Sequence, residues 1–225
     1  MTRANALFSS DERQQVTQAV VAAESNSSAE IMPVVAKSSG RYDRPEDIAG
    51  LWFGMLALCA TWSVLPDPAA DPNSWSGMTP AFQLSLLIVA ILIGFLVGVL
   101  LASRLTWLRA LFTPKAQAAA EVMSRARSLF FDRRVHHTSG GTGLLIYVSL
   151  FEHQAAVLAD QVVLEKLGQP MLDEICEQLT TDLRSGTIPD AICKAIATAG
   201  EKLSAVLPRD NDDVNELPDA LVVLD

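Results

Sequence analysis

The sequence is short of positive charge, of aromatic residues and of cysteine. Against 26 Asp and Glu it sets 17 Lys and Arg, for a net charge of −9. That balance excludes nucleic acid as a partner, because nothing in it would neutralise a phosphate backbone. The 3 cysteines, Cys59, Cys176 and Cys193, are far apart and show no CxxC spacing. They read as reduced, buried thiols rather than a disulfide framework or a metal site. Residues 1–8 hold one arginine and no apolar stretch, so no signal peptide is expected there. No EF-hand loop and no GxSxG elbow occurs. The turn Gly140-Gly141-Thr142-Gly143 leads into a strand pattern and lacks the lysine and helix N-terminus of a phosphate loop. A covalent-nucleophile hydrolase is therefore unsupported.

What the chain does have is apolar residues, 50% of the total, with two concentrated runs in the middle. Residues 81–103 (AFQLSLLIVAILIGFLVGVLLAS) carry no charge and no polar face. A bilayer core of about 30 Å needs roughly 20 helical residues, which this run supplies. Residues 48–65 (IAGLWFGMLALCATWSVL) are also uncharged but near the minimum length, so a re-entrant or interfacial helix is the competing reading. Trp52, Trp62 and Trp75 lie near segment ends, where aromatic rings favour the interface. Gly94 and Gly98 form a small-xxx-small pair, which could serve the other span, another copy of the chain, or no partner.

The connector, residues 66–80, is rich in proline and holds Asp67 and Asp71 but no Lys or Arg. The outer flanks hold Lys37, Arg41 and Arg44 on one side and Arg104, Arg109 and Lys115 on the other. The positive-inside rule then places both flanks in the cytoplasm. The expectation is a multi-pass protein of the cell inner membrane with two spans and both N- and C-termini cytoplasmic.

Roughly 150 residues remain outside the hairpin, the usual size of one domain. Ser9 and Glu12 fit a capping box for a first helix whose apolar face is Val16, Ala19, Val20 and Ala23. Residues 30–36 read as a strand, placed at an edge or bulged by Pro33. Residues 115–131 read as a helix with Ala116, Ala119, Ala120, Met123, Ala126 and Phe130 on one side, and Pro114 in its first turn behind a Thr113 cap. The run 144–150 (LLIYVSL) reads as a central strand covered on both faces, turning at Phe151, Glu152 and His153 into a second strand over 154–159. Two helices, 170–184 with Gly186 as C-cap and 188–207 behind Thr187, close the domain. The acidic residues after Pro208 predict a solvated tail.

The fold class is α/β: an α/β/α sandwich with a small mixed sheet, interrupted by a two-helix transmembrane hairpin. The expected divisions are 1–44 and 113–207 for the two parts of the soluble domain, 45–112 for the hairpin insertion and 208–225 for the tail.

Four stretches resemble the TPM domain, a family named partly for thylakoid acid-phosphatase-like proteins acting in photosystem repair. They are EIMPVV from Glu30, GLLIYVSLFE from Gly143 to Glu152, VLAD from Val157 to Asp160, and NELPD from Asn215 to Asp219, the last similar to a membrane-inserted bacterial branch. The resemblance covers nearly all the soluble sequence, through short motifs. It implies an α/β/α sandwich. Some members bind calcium through acidic loop residues, and some are described as acid phosphatases. By similarity, Glu152 stands where the family has an acidic residue after the central strand, and Asp160 stands at the end of the next. His153 departs from the arginine expected beside Glu152.

Asp160 and Glu152 are thus the candidate metal ligands, with calcium as the candidate cation. The competing reading is that both are solvated turn carboxylates. Two carboxylates do not complete a calcium shell, which takes six or more oxygens. The order of elements also puts His136 and His137 at one end of the central strand and Glu152 at the other, with Asp160 back near the histidines. Adjacent histidines alone make no zinc site. No catalytic residue is assigned. The functional expectation is an interaction or assembly module at the cytoplasmic membrane face with a protein partner and a divalent cation as a candidate ligand; the alternative is a metal-assisted acid phosphatase.

Overall fold

The computed structural model describes residues 8–40, 43–65, 79–138, 140–210 and 215–224. Residues 66–78 of the connector, with Asp67 and Asp71, lie outside that range. Backbone packing divides the chain into two compact units, Met1–Gly40 with Ala116–Asp225, and Arg41–Lys115.

The first unit is mixed α/β. Helix α1 (Ser10–Glu24) starts on the expected capping box: the Glu12 N–H donates to Ser9 Oγ and the Ser9 N–H to Glu12 Oε2. The Ser9 N–H foremost, with the Ser9 hydroxyl donating to the same oxygen, holds the Glu12 carboxyl below its ordinary pKa. Strand β1 (Glu30–Ala36) follows, and helix α5 (Lys115–Asp132) resumes the unit after the insertion. Pro114 falls one residue before α5. A short 3-10 turn (Val135–His137) then leads into β2 (Gly143–Ser149) and β3 (Gln154–Ala159). Three helices follow: α6 (Gln161–Leu167), α7 (Gln169–Ser185) and α8 (Ile188–Val206). Strand β4 (Val222–Leu224) is the last element.

The sheet order is β3-β2-β1-β4, with β1 parallel to both β2 and β4 and β2 antiparallel to β3. Alternation along each strand feeds two cores. Ile31, Val35, Leu144, Ile146, Val148 and Val157 pack with α1, α6, α7 and α8. Met32, Val34, Ala36, Leu145, Tyr147 and Ala156 pack with Val122, Ala126, Leu129 and Phe130 of α5. Helices therefore cover both faces, and every residue of β2 is buried. The buried face of α5 matches the expected one only in its second half: Ala126 and Phe130 are inside as expected, with Ala118, Val122 and Leu129, while Ala116, Ala119 and Ala120 are exposed. In an alanine-rich helix the few bulky residues set the phase, because they carry most of the apolar area.

Two expectations are corrected. First, β1 is an interior strand, not an edge. Its Glu30 N–H points to Thr142 on the β2 side and its Lys37 N–H to Leu224 on the β4 side. Odd-numbered residues therefore face β4, and Pro33 lies just before Val34, where pairing with β4 begins. The proline is tolerated because no partner strand asks for its N–H. Further up the same side, Ile31 donates its N–H to the buried Glu24 carboxylate at 2.8 Å.

Second, the residues after Pro208 are not simply a solvated tail. The Asp210 N–H donates to Ser28 Oγ, and the Leu217 N–H donates to the buried Glu30 carboxylate at 3.2 Å. Leu217 and Leu221 are buried in opposite cores, and β4 completes the sheet. The apolar run Leu221-Val222-Val223-Leu224 has strand composition that the surrounding acidic residues obscure.

The second unit contains α2 (Asp43–Val64), α3 (Pro80–Arg104) and α4 (Thr106–Leu111). Both long helices are long and apolar enough to cross a membrane. Their burial is inverted relative to a soluble helix: the buried residues of α3 are Gly94, Gly98 and Ala102, all small. On α2 they include Ala49, Gly50 and Gly54. Large side chains point outward, with Leu56 61% and Leu92 57% exposed. The glycines line a seam between the two helices. A Cβ on Gly94 would stand 2.7 Å from Ala57 Cβ, and one on Gly98 would stand 2.8 Å from Gly50 Cα. The Gly94–Gly98 pair thus serves the partner helix, and Gly50-xxx-Gly54 is its counterpart.

Two outcomes follow from these packings. Gly98→Val should destabilise the hairpin by about 1–3 kcal/mol, because backbone atoms must move apart. The check is the thermal midpoint in detergent, with Gly98→Ala milder; an unchanged midpoint for both would contradict the seam. Leu217→Ala should cost about 2 kcal/mol or more in urea unfolding, whereas a residue in a solvated tail would change stability by under about 0.5 kcal/mol.

Candidate functional site

The candidate carboxylates occupy opposite ends of one strand. Ser149 pairs with Gln154 at the turn end of the β2–β3 hairpin, and Leu144 pairs with Ala159 at the other. Glu152 lies in the turn and Asp160 one residue past β3, so a strand's length of about 20 Å separates them at roughly 3.3 Å per residue. They cannot share one cation, which agrees with the opposite ends of the sheet expected for these two candidate ligands. Each carboxylate has another occupation.

Asp160 is the N-cap of α6, accepting the Gln161 N–H at 2.7 Å. Its own N–H donates to Gly143 O at 2.8 Å, tying the end of β3 to the start of β2. Gly141, at φ +62°, supplies the left-handed turn that brings its carbonyl within 3.2 Å of the Val162 N–H. Gly143 has a different reason: a side chain there would overlap the Val135 carbonyl of the 3-10 turn. The glycine cluster therefore serves close packing, consistent with its rejection as a phosphate cradle. His136 leans on Phe131, ring centroids 4.9 Å apart, and its Nδ1 lies 3.3 Å from the Phe130 carbonyl. Neither observation makes it a ligand.

Glu152 sits at the carboxyl ends of β1 and β2 and is half-buried. One oxygen accepts the Ser39 N–H at 2.8 Å and the other accepts the Ser149 hydroxyl. Ser39 Oγ in turn lies 2.9 Å from the Tyr147 hydroxyl. The Phe151 N–H donates to Lys37 O at 2.9 Å and the Leu150 N–H to Ala36 O at 3.0 Å, so backbone and side chain lock the same two loops together. Tyr147 is held above its ordinary pKa, chiefly by burial, so its hydroxyl stays neutral and available as a donor. Burial likewise raises the Cys176 and Cys193 thiols, which leaves them poor nucleophiles. Cys59 is exposed, against the expectation of a buried thiol.

A divalent cation is what the TPM resemblance implies here, and the donor set does not fit a shared site. Both Glu152 oxygens already accept hydrogen bonds, and Asp160 is a strand away. Among the described residues, no group of three or more His, Cys, Asp or Glu side chains converges. Two open depressions of about 410 and 480 Å3 flank α8, sharing Ala197 and Glu201 in their linings.

Sequence reasoning found Glu152 but missed Ser39, Tyr147 and Ser149. A signal existed for Ser149: it is a polar residue inside a strand buried on both faces, which demands a partner. For Ser39 there was none, since its partner lies 113 positions along the chain.

Glu152→Ala should lower stability by about 1–3 kcal/mol, since it strands the Ser39 N–H and the Ser149 hydroxyl. Asp160→Ala should cost about 1 kcal/mol through the lost cap. Urea titrations of both variants check this. A shared metal site would instead make the two variants lose a calcium-induced thermal shift together.

Comparison with family models and with curated proteins finds no match to this chain. Among solved structures, it is similar to the NMR structure of BA42 protein from the psychrophilic bacterium Bizionia argentinensis, with a TM-score of 0.57 and 16% identity, covering 96% of this chain and 94% of that one. At that identity the likeness speaks for the fold alone.

Proposed function

We propose that the chain is a membrane-tethered interaction or assembly module. In this reading it is a TPM-like α/β/α sandwich interrupted by a two-helix transmembrane hairpin. It lies at the cytoplasmic face of the cell inner membrane and engages a protein partner. The supporting observation is the inverted burial of α2 and α3, where glycine and alanine lie inside and Leu, Ile, Phe and Trp outside. Water would penalise that surface by roughly 25 cal/mol for each Å2 of exposed apolar area, whereas lipid does not. Close helix contact through small residues is also how helices associate when no hydrophobic effect drives them together.

The direction of the hairpin rests on charge. Lys37 precedes α2, and Arg104 and Lys115 follow or end α3, while the connector has only acidic charges. A module rather than an enzyme is favoured because the polar groups near the sheet ends are spent on holding loops together. A metal-assisted acid phosphatase on Asp160 and Glu152 draws no support from their separation, and no cation enters this reading.

Alkaline carbonate washing of vesicles should leave the protein in the pellet, and a reporter fused after Asp225 should be active in the cytoplasm. Release by carbonate would end the membrane reading. Periplasmic reporter activity would reverse the orientation while leaving the anchor intact. Affinity purification from native membranes should then recover a stoichiometric protein partner.

A further inference from the structure

We infer that α4 is an interfacial foot. The short helix after α3 lies in the headgroup layer of the membrane with Trp107 and Leu111 dipped into lipid. The inference rests on the membrane reading of α2 and α3 and extends it to a lipid-contacting surface outside the spans.

Helix α4 begins two residues after α3 ends, across Leu105. Its Leu108 is buried against Ala49 and Ala102, with Phe53 and Phe112 beside it. Ala49 lies near the start of α2 and Ala102 near the end of α3, so this small core marks the end of the hairpin away from the connector. Leu108 thereby fixes the roll of α4. Trp107 and Leu111, four residues apart, fall together on another face, 66% and 70% exposed. An indole and a leucine have no reason to share an exposed face in water. The same pair suits a boundary layer, where the indole ring is apolar over most of its area and its N–H can still reach water or a lipid carbonyl.

Charge points to the same occupant. From Ala81 through Ala120 the sequence holds no Asp or Glu, while Arg104, Arg109 and Lys115 fall within or beside α4. In a chain of net charge −9, a cationic, acid-free stretch next to an apolar hairpin matches an anionic lipid surface. A protein partner is the other possible cover for Trp107. The cationic, acid-free sequence around it favours lipid.

The test uses the full chain in liposomes of phosphatidylcholine and phosphatidylglycerol. The 4 tryptophans are reduced to Trp107 alone by Trp52→Phe, Trp62→Phe and Trp75→Phe. Lipids spin-labelled near the headgroup should quench Trp107 about twofold more than lipids labelled near the chain end, as expected of a ring at the interface. Stronger quenching by the deep label would place α4 inside the hydrocarbon and overturn the proposal. Quenching by aqueous iodide with no effect of either lipid label would also overturn it. A second chain keeping only Trp62 separates the two readings. If Trp62 is quenched by lipid and Trp107 is not, the foot fails and the anchor stands; if neither is quenched, both fail. Should the triple replacement not fold, the difference in quenching between the native chain and Trp107→Phe reads the same quantity.

Discussion

The parallel ladder between β1 and β2 is the constraint on which the architecture depends. It joins Glu30–Ala36 to Gly143–Ser149 through seven residue pairs, with the whole apolar hairpin lying between them in sequence. Parallel neighbours need a crossover connection, which usually is a helix packed on the sheet. Here α5 does that work on one face, while the hairpin is an additional excursion before it. Glu152 reinforces the arrangement by clamping the loop after β1 to the turn after β2, at the point where the chain departs.

The two units obey opposite rules of burial. In the α/β unit the largest buried side chains are Tyr147, Ile31, Met32 and the leucines of β2. In the hairpin the interior is a file of glycine and alanine, and bulk lies outside. Each pattern answers its own surroundings. Where water is outside, apolar area is removed from it. Where the surroundings are themselves apolar, nothing is gained by hiding a leucine, and close backbone approach is what remains to stabilise a helix pair. The chain carries both patterns, divided at Gly40 and Ala116, and the membrane reading proposed above accounts for the second.

Much of the fold was readable in advance because it depends on local pattern. The cap at Ser9, the strand Glu30–Ala36, the turn around Glu152 and the cap at Thr187 all follow from residue type and spacing within a few positions. The failures came where a distant partner decides. Pro33 suggested an edge, because nothing local shows that β4 starts its pairing one residue later. The phase of α5 was misread in its first half because alanines on several sides offer no contrast. β4 was hidden among acidic residues whose solvation is a good default. Helix α6 was not foreseen, so Asp160 looked like a free loop carboxylate rather than a cap. The candidate site shared this fate: Glu152 was singled out by the family resemblance, but its meaning lay in Ser39, a residue with no local signature.

The sheet order also has a consequence for synthesis. The ribosome delivers β1 first, then the entire hairpin, then β2, and β4 last. During that interval β1 is a strand apolar from Ile31 to Ala36 with no partner strand on either side, the condition that invites pairing with other chains. It has no native neighbour until the hairpin has been made and the chain has doubled back. Helix α1, whose Val16 and Val20 belong to the same core, is the native element already available to shield it. A nascent chain of this design is therefore most exposed to error while the hairpin is being translated, not at its completion.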